Sequence, residues 1–482
     1  MSMIDSYHPY PWWPSWPAKK LTMNTRIKTL VPSAVLGAGL ALMIVNQSPA
    51  QTVTHVSAGF YFTLFTMSDG SLWGMGDNSY GQLGIGSSPV KTNVPQRVLT
   101  SGVGIVAAGG NHSLFTKNDA LWAMGDNFYG QLGDGTTNNQ YVPEQVFTTG
   151  SRFTFVAALA AGGYHSLFGT QSGLIAQSGF WGVGQNDLGQ LGDSTSTNHH
   201  SVELLLSSMS ARTVLAVAAG GYHSLYLRPN GSLWGMGLDQ SGQLGDGNSG
   251  KLYFTNLQEM IVPSNVTVIA AGGDTSLFIK SDGSLWGMGN NFVGQLGDGT
   301  TTDRVYPEQI QPGGVTAVAT GGGNSLFIKS DGSLWGMGYN ANGQLGDGTT
   351  NDHHLPVQIV ASNVVAVAAG LYFSLFLKAD GSLWGMGDNR DGQLGTGDYL
   401  ERHVPVEIVP PPPPIITTIT VSPTNLVVAW PTNQGGFKLQ SSSALGPMAA
   451  WGTVSPGPVI VSNQYVLSNS ISAPQMFFRL AQ

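Results

Sequence analysis

The stretch Asp380-Gly-Ser-Leu-Trp-Gly-Met-Gly-Asp-Asn-Arg-Asp-Gly-Gln-Leu-Gly395 decides the fold, because close copies of it recur along the chain. It reads as a turn, a short strand carrying one Trp, and a Gly-rich loop. Trp73, Trp122, Trp181, Trp234, Trp286, Trp335 and Trp384 mark seven copies, separated by 49, 59, 53, 52, 49 and 49 residues. A period near fifty residues built from strand signals specifies a β-propeller.

Upstream of the quoted stretch, Val364-Val-Ala-Val-Ala-Ala-Gly370 and Ser374-Leu-Phe-Leu-Lys378 have the apolar runs of buried strands. Downstream, Pro405-Val-Glu-Ile408 is a strand opened by proline, which cannot donate a ladder hydrogen bond and belongs at a strand start or sheet edge. Asp-Gly or Asn-Gly before the Trp strand, at Asp69-Gly70, Asn230-Gly231, Asp282-Gly283, Asp331-Gly332 and Asp380-Gly381, predicts type I′ hairpin turns. Four strands per unit and seven units give an all-β chain with a seven-bladed β-propeller over residues 53–409. The array opens on a Val-rich strand and closes on a Pro-led one, which predicts that Pro405–Val409 pairs into the first blade and shuts the ring. Units three and four lack the Pro, and the turn at Gln171–Gly179 is lengthened, so these blades should be the least regular.

Composition narrows the function. With 67 Gly in register, 41% hydrophobic and only 10% charged residues, the 482-residue chain is too apolar for disorder. The formal charge is -8, from 19 Lys plus Arg against 27 Asp plus Glu, and no basic cluster exceeds Lys19-Lys20, which disfavours nucleic acid. The absence of cysteine excludes disulfides, thiol catalysis and zinc-thiolate sites.

Residues 1–50 read as an N-terminal extension and export signal. Tyr10-Pro-Trp-Trp-Pro-Ser-Trp-Pro17 has no periodicity; from Met23 the chain has Arg26 and Lys28, an apolar run Leu30–Val45, and Ser48-Pro-Ala50 as a small-residue cleavage site. The run is short for a membrane span, so the signal proper is placed at about 23–50, the mature chain near Gln51, and membrane contact only in transit, with an uncleaved signal anchor as the alternative. Pro410–Pro414 is a stiff spacer. Residues 415–482, with strand-like pieces Ile415–Val421, Leu426–Trp430, Phe437–Gln440, Val459–Val461 and Met476–Leu480, are expected to form a small β-sandwich-like domain with Trp430, Trp451, Phe477 and Phe478 in its core.

Within one unit, Gly109-Gly-Asn-His-Ser-Leu114, Leu121-Trp122 and Asn127-Phe-Tyr-Gly-Gln-Leu-Gly133 together resemble the regulator of chromosome condensation repeat family, and Gly-Gln-Leu-Gly is intact in all seven copies. The resemblance covers about three quarters of the chain and implies a seven-bladed propeller. It also implies several roles: nucleotide exchange on a small GTPase with chromatin binding in the nuclear member, interaction domains in others, and one-faced gripping of β-lactamases by a secreted bacterial relative. The export signal and acidic balance point to the secreted bacterial type. Fold alone does not choose among these roles.

Candidate sites were weighed against scaffold. His112, His165 and His223 hold one repeat position, occupied by Phe62, Thr275, Asn324 and Phe373 elsewhere; such positions spread around a ring, so structural histidines bonded to backbone are expected rather than a metal or acid–base centre. Each Gly-Asp-Gly-Thr loop offers one carboxylate, short of what calcium needs, and reads as a turn cap. Trp and Met of the repeated strand read as packing between blades. The Gly-x-Gly pairs lack the third Gly and helix of a dinucleotide site.

The variable positions carry the information. Strand parity places the turn after the Val-rich strand and the loop after the Trp strand on one face. Phe60, Tyr61, Tyr164, Tyr222 and Tyr372 fall in the first set; Tyr80, Phe128, Tyr129, Phe292 and Tyr339 in the second. Of these, Tyr61, Tyr80, Phe128, Tyr129, Tyr164, Tyr222, Phe292, Tyr339 and Tyr372 are the candidate partner-binding residues, since exposed aromatics on one face suit a protein-binding surface. The expectation is an exported, monomeric, non-enzymatic propeller with no cofactor or metal, binding a protein rather than a glycan. Alternatives are an exchange-factor-like regulator, or a carbohydrate-active or structural surface propeller.

Overall fold

The computed structural model describes residues 51–148, 154–172, 178–206, 214–248 and 259–412, and in the tail 418–421, 425–431, 438–442, 452–455, 457–461, 464–470 and 477–481. The N-terminal extension and export signal lie outside the described residues, as do 173–177 of the lengthened turn and Trp451. Every regular element among the described residues is a strand.

Within 51–412 these strands form seven four-stranded sheets, each pairing its strands antiparallel in chain order. The first is Val53–Ala58, Phe62–Met67, Leu72–Asp77 and Lys91–Leu99; the seventh is Val364–Ala369, Phe373–Lys378, Leu383–Gly387 and Arg402–Val409. The second strand of each sheet is buried along its length, as in Phe62–Met67, because side chains on both faces meet a neighbouring sheet. The apolar cores accordingly lie between sheets. Phe62, Leu64 and Leu83 pack with Phe115 and Met124 of sheet two, and the series continues until Phe65 and Met75 of sheet one pack with Phe373, Leu375 and Leu394 of sheet seven. The ring is therefore closed.

Closure does not use a shared strand. Sheet one has its own outer strand, Lys91–Leu99, and Pro405–Val409 lies in sheet seven, with Leu383 opposite Val409 and Trp384 opposite Glu407. The expectation that Pro405–Val409 enters the first blade is thus corrected. The closing device is the Gly-Gln-Leu-Gly loop, which lies across the outer strand of the next sheet. Gly135 N–H donates to His200 O at 2.9 Å, and Gly397 N–H donates to Asn93 O at 2.8 Å by the same reach from sheet seven to sheet one. The Gln carbonyl accepts from a hydroxyl of the following sheet: Ser113 Oγ to Gln82 O and Thr63 Oγ1 to Gln393 O. Gly130 and Gly392, at φ of +81° and +83°, sit where a Cβ would strike the backbone of His200 and Asn93 at 2.6 and 2.5 Å. Close approach and left-handed backbone together explain why the phrase repeats without change.

The hairpin turns also differ from expectation. In the Asp-Gly turns only the glycine takes positive φ, as at Gly70 (+75°) and Gly381 (+83°); among the described residues Asn118 and Asp119 are the pair with positive φ at both positions. The Asp instead accepts from the backbone two residues on, as in Ser71 N–H to Asp69 Oδ1 at 2.9 Å, and Ser71 Oγ in turn accepts from Trp73 Nε1 at 2.9 Å. One turn thereby orients the Trp, which stacks on Phe65 with ring centroids 6.3 Å apart.

The tail forms two antiparallel sheets: Thr418–Val421, Asn425–Pro431, Gln464–Ser470 and Val459–Val461 in one, and Gly452–Thr453, Lys438–Ser442 and Phe477–Ala481 in the other. Trp430 is buried there against Tyr465. Side chains of Phe477 and Phe478 lie outside the described set.

Candidate functional face

The two variable segments of each unit meet on one face because a backbone hydrogen bond joins them. Asp77 N–H donates to Tyr61 O, Gln185 to Tyr164 O, Leu238 to Tyr222 O and Asp388 to Tyr372 O, each at 2.9–3.0 Å. Towards the axis, glycines of neighbouring turns bond to one another, as in Gly110 N–H to Gly162 O and Gly163 N–H to Gly220 O. They line an axial cavity of about 250 Å³ at which Phe60, Tyr222, Asp274 and Leu371 also lie.

The predicted aromatics divide into two arcs and two outliers. Phe128 meets Tyr129 edge-on at 4.9 Å, Tyr129 meets Tyr164 at 5.4 Å, and Tyr164 meets Tyr222 at 6.2 Å, a continuous run over sheets two to four. Tyr372 joins Tyr61 at 6.3 Å and Tyr339 at 6.0 Å across sheets seven, one and six. Phe292 is 78% exposed and Tyr80 42% exposed, with no ring contact to either arc among the described residues. Burial, then neighbouring rings and carboxylates, hold the Tyr164 and Tyr222 phenols above their usual pKa, so both remain protonated donors.

Charge separates the arcs. Beside Tyr61, the Arg390 guanidinium donates to Asp388 Oδ1 at 2.8 Å. Beside Tyr164 and Tyr222 stand Asp126, Asp187 and Asp274. Asp126 accepts Gln131 Nε2 at 2.9 Å, and Asp274 accepts only a long bond from Gln243 Nε2 at 3.3 Å. Burial raises the pKa of both. These acids were not singled out from sequence, since nothing in a linear repeat says which loop carboxylate will stand beside which ring. A second unexpected feature is a rim of exposed apolar residues preceding the Pro of the outer strands: Val94, Val142, Tyr306, Leu355 and Val404.

The three histidines lie beneath the first arc and are fully buried. His112 Nε2 meets Ser166 Oγ at 2.9 Å, His165 meets Ser224 at 2.8 Å, and His223 meets Ser276 at 2.9 Å. Each serine already donates to a Gln carbonyl, so Nε2 carries the proton and donates. The partner is a hydroxyl of the next sheet, which corrects the expected backbone bond. Nδ1 has no partner, and burial pulls the rings down to about 3, about 3 and about 4. They are neutral inter-sheet ties spread around the ring. In the Gly-Asp-Gly-Thr loops, Asp134 accepts from Asn127 Nδ2 at 3.0 Å and Thr136 N–H at 2.8 Å, the capping arrangement expected. Sheet four breaks the pattern: Asp239 replaces the Asn of the other six sheets, and burial together with Asp246 pushes it up to about 7.

Residues 177–427, just over half the chain, match the RCC1-like domain, and residues 53–82, 69–116 and 118–168 match the regulator of chromosome condensation (RCC1) repeat. The chain belongs to the RCC1-like family. It is 33% identical over 261 residues to the probable E3 ubiquitin-protein ligase HERC4 of Homo sapiens, covering 53% of this chain and 24% of that one. It is 28% identical over 264 residues to the ultraviolet-B receptor UVR8 of Arabidopsis thaliana, covering 53% and 57%. The chain thus spans about a quarter to just over half the length of these RCC1-like relatives. Among solved structures, human WBSCR16 superposes with a TM-score of 0.62 at 25% identity over 72% of this chain and 96% of that one. Prp20p of Saccharomyces cerevisiae, whose structure was described with its binding to Gsp1p and histones, shares the fold at a TM-score of 0.61 and 20% identity over 75% and 88%.

Proposed function

We propose that this RCC1-like chain is an exported, non-enzymatic propeller that holds a protein partner against its aromatic face. The observation that carries the reading is the unbroken run Phe128–Tyr129–Tyr164–Tyr222, rings in contact on a surface built from loops that the scaffold does not need to vary. Amphipathic rings of this kind contribute large contact area with few rotatable bonds and are the residues that dominate protein interfaces. The same fold in Prp20p, described with its binding to Gsp1p and histones, is consistent with the reading. Among the described residues, no nucleophile–base pair or phosphate-cradling loop stands apart from the repeat, and the paired acids Asp239 and Asp246 lie in the loop of sheet four. Export rests on the segment from Met23 to Ala50.

A photo-crosslinking residue at Phe128, in the full chain recovered from the extracytoplasmic fraction, should label one protein species. The same residue at exposed Val365, on the inner strand of sheet seven, should not. Equal labelling from both positions would refute the assignment of this face. N-terminal sequencing of the recovered protein should begin near Gln51; a chain that keeps residues 1–22 would refute export by cleavage.

A further inference from the structure

Among the described residues the first arc is acidic and carries no Lys or Arg, whereas the second arc has a cation in place. Resting on the reading above, we infer that the partner inserts a cationic side chain, an arginine in preference to a lysine, against Tyr222 and Asp274 at the mouth of the axial cavity, beside Tyr164. Three observations converge. Tyr164 and Tyr222 lie 6.2 Å apart in a tilted pair, and Asp187 and Asp274 act on Tyr222. Tyr222 and Asp274 both line the axial cavity of about 250 Å³, whose remaining wall is mostly glycine and alanine, leaving room for an extended side chain.

The second observation is the lack of a counter-ion. Among the described residues, the loops and turns on this face of sheets two to four carry no Lys or Arg, and no ion pair involves Asp126, Asp187 or Asp274. Asp126 is buried, Asp274 half-buried and Asp187 exposed. A carboxylate withdrawn from water without a cation is costly, and a guanidinium beside Asp274 gains both ion pairing and stacking on tyrosine.

The third observation is an internal precedent. In the second arc Arg390 pairs with a loop carboxylate from within the chain, donating through Nε and Nη2 to the two oxygens of Asp388 at 2.8 and 3.2 Å beside Tyr61. Asp126, at the same repeat position in the first arc, has no such ion pair among the described residues.

The test uses the full chain and two blocked amino acids of nearly equal shape, Nα-acetyl-arginine methylamide and its uncharged citrulline analogue, titrated by tyrosine chemical shifts. Arginine should bind at least about tenfold more tightly than citrulline, a ratio in keeping with one cation–π contact and one ion pair. The double variant Asp187→Asn with Asp274→Asn should remove that preference with the fold intact by circular dichroism. Arg390→Ala should add a second, weaker arginine site at Tyr61 and Tyr372. Equal binding of citrulline, or an unchanged preference in the double variant, would overturn the inference. Crosslinking from Phe128 reads the broader proposal independently, so either can fail alone.

Discussion

The two arcs of the aromatic face are built on the same backbone and differ in everything attached to it. Over sheets two to four, tyrosines stand above neutral histidines and beside carboxylates that have no Lys or Arg partner among the described residues, and sheet four carries Asp239 in place of Asn. Over sheets six, seven and one, tyrosines stand above Asn324, Phe373 and Phe62, and Arg390 neutralises Asp388. The scaffold beneath repeats: among the described residues the loops of sheets one, two, four, five, six and seven each bond to the outer strand of the next sheet through a glycine N–H. The comparison teaches that in a repeat protein the sites lie where the copies disagree, and that disagreement here is concentrated in one half of the ring.

The largest expected effect breaks the comparison at the partner. Tyr129→Ala with Tyr164→Ala and Tyr222→Ala should weaken capture of the crosslinked protein by about a hundredfold or more, as loss of three interface anchors does. Tyr61→Ala with Tyr339→Ala and Tyr372→Ala should weaken it less than about fivefold. Equal losses in surface-plasmon titrations would make the whole face, not one arc, the interface.

Next is the scaffold control. Gly130→Ala and Gly392→Ala each place a Cβ against backbone at left-handed φ and should each lower unfolding stability by about 3 kcal/mol. Matching shifts in denaturant midpoint would show that the two halves share one clamp and that sheet seven meets sheet one like any other pair. A much smaller effect at Gly392 would show a weaker closure.

Acid sensitivity should belong to the first half. The unfolded chain protonates histidine below about 6.5, while the native rings hold out to about 3 to 4, so the unfolded state binds more protons between those values. Stability is therefore complete above pH 6.5 and falls as pH drops, by about 1.4 kcal/mol per pH unit for each ring. Changing His112, His165 and His223 to Asn, the residue that makes the corresponding bond to Ser374 in sheet six, should flatten stability between pH 6.5 and 5. An unchanged slope in urea titrations would remove the histidines as the cause.

The smallest effect is at Asp239. Its native pKa of about 7 lies above the unfolded carboxylate value, so the stability its protonated form retains at acid pH is lost as pH rises through 7. Asp239→Asn restores the amide of the other sheets and should add on the order of 1 kcal/mol at pH 8 and nothing at pH 4.

Much of this was legible in the sequence. The Trp period and the Val-rich, Trp-bearing and Pro-led strands gave the four-stranded unit, and variability marked the aromatic positions. Closure was misread because Gly-Gln-Leu-Gly looks local, while its hydrogen bonds go to the next sheet. The Asp-Gly turn was misread because Asp69 can be held by its own side-chain bond to Ser71 instead of by positive φ. The histidines were recognised as scaffold, but their partners, fifty-odd residues away, follow from adjacency of sheets. Strand parity puts Phe292 and Tyr80 on the same face as the other candidates, and ring geometry sets them apart from both arcs.

Sequence by itself determined the strand pattern, the repeat and the face on which variation falls, because alternation, turn chemistry and glycine spacing are short-range properties. Only the tertiary structure decided which rings touch, which carboxylates stand beside them and how the ring shuts. Those depend on distances between residues in different sheets, set by the close approach of backbones that glycine permits.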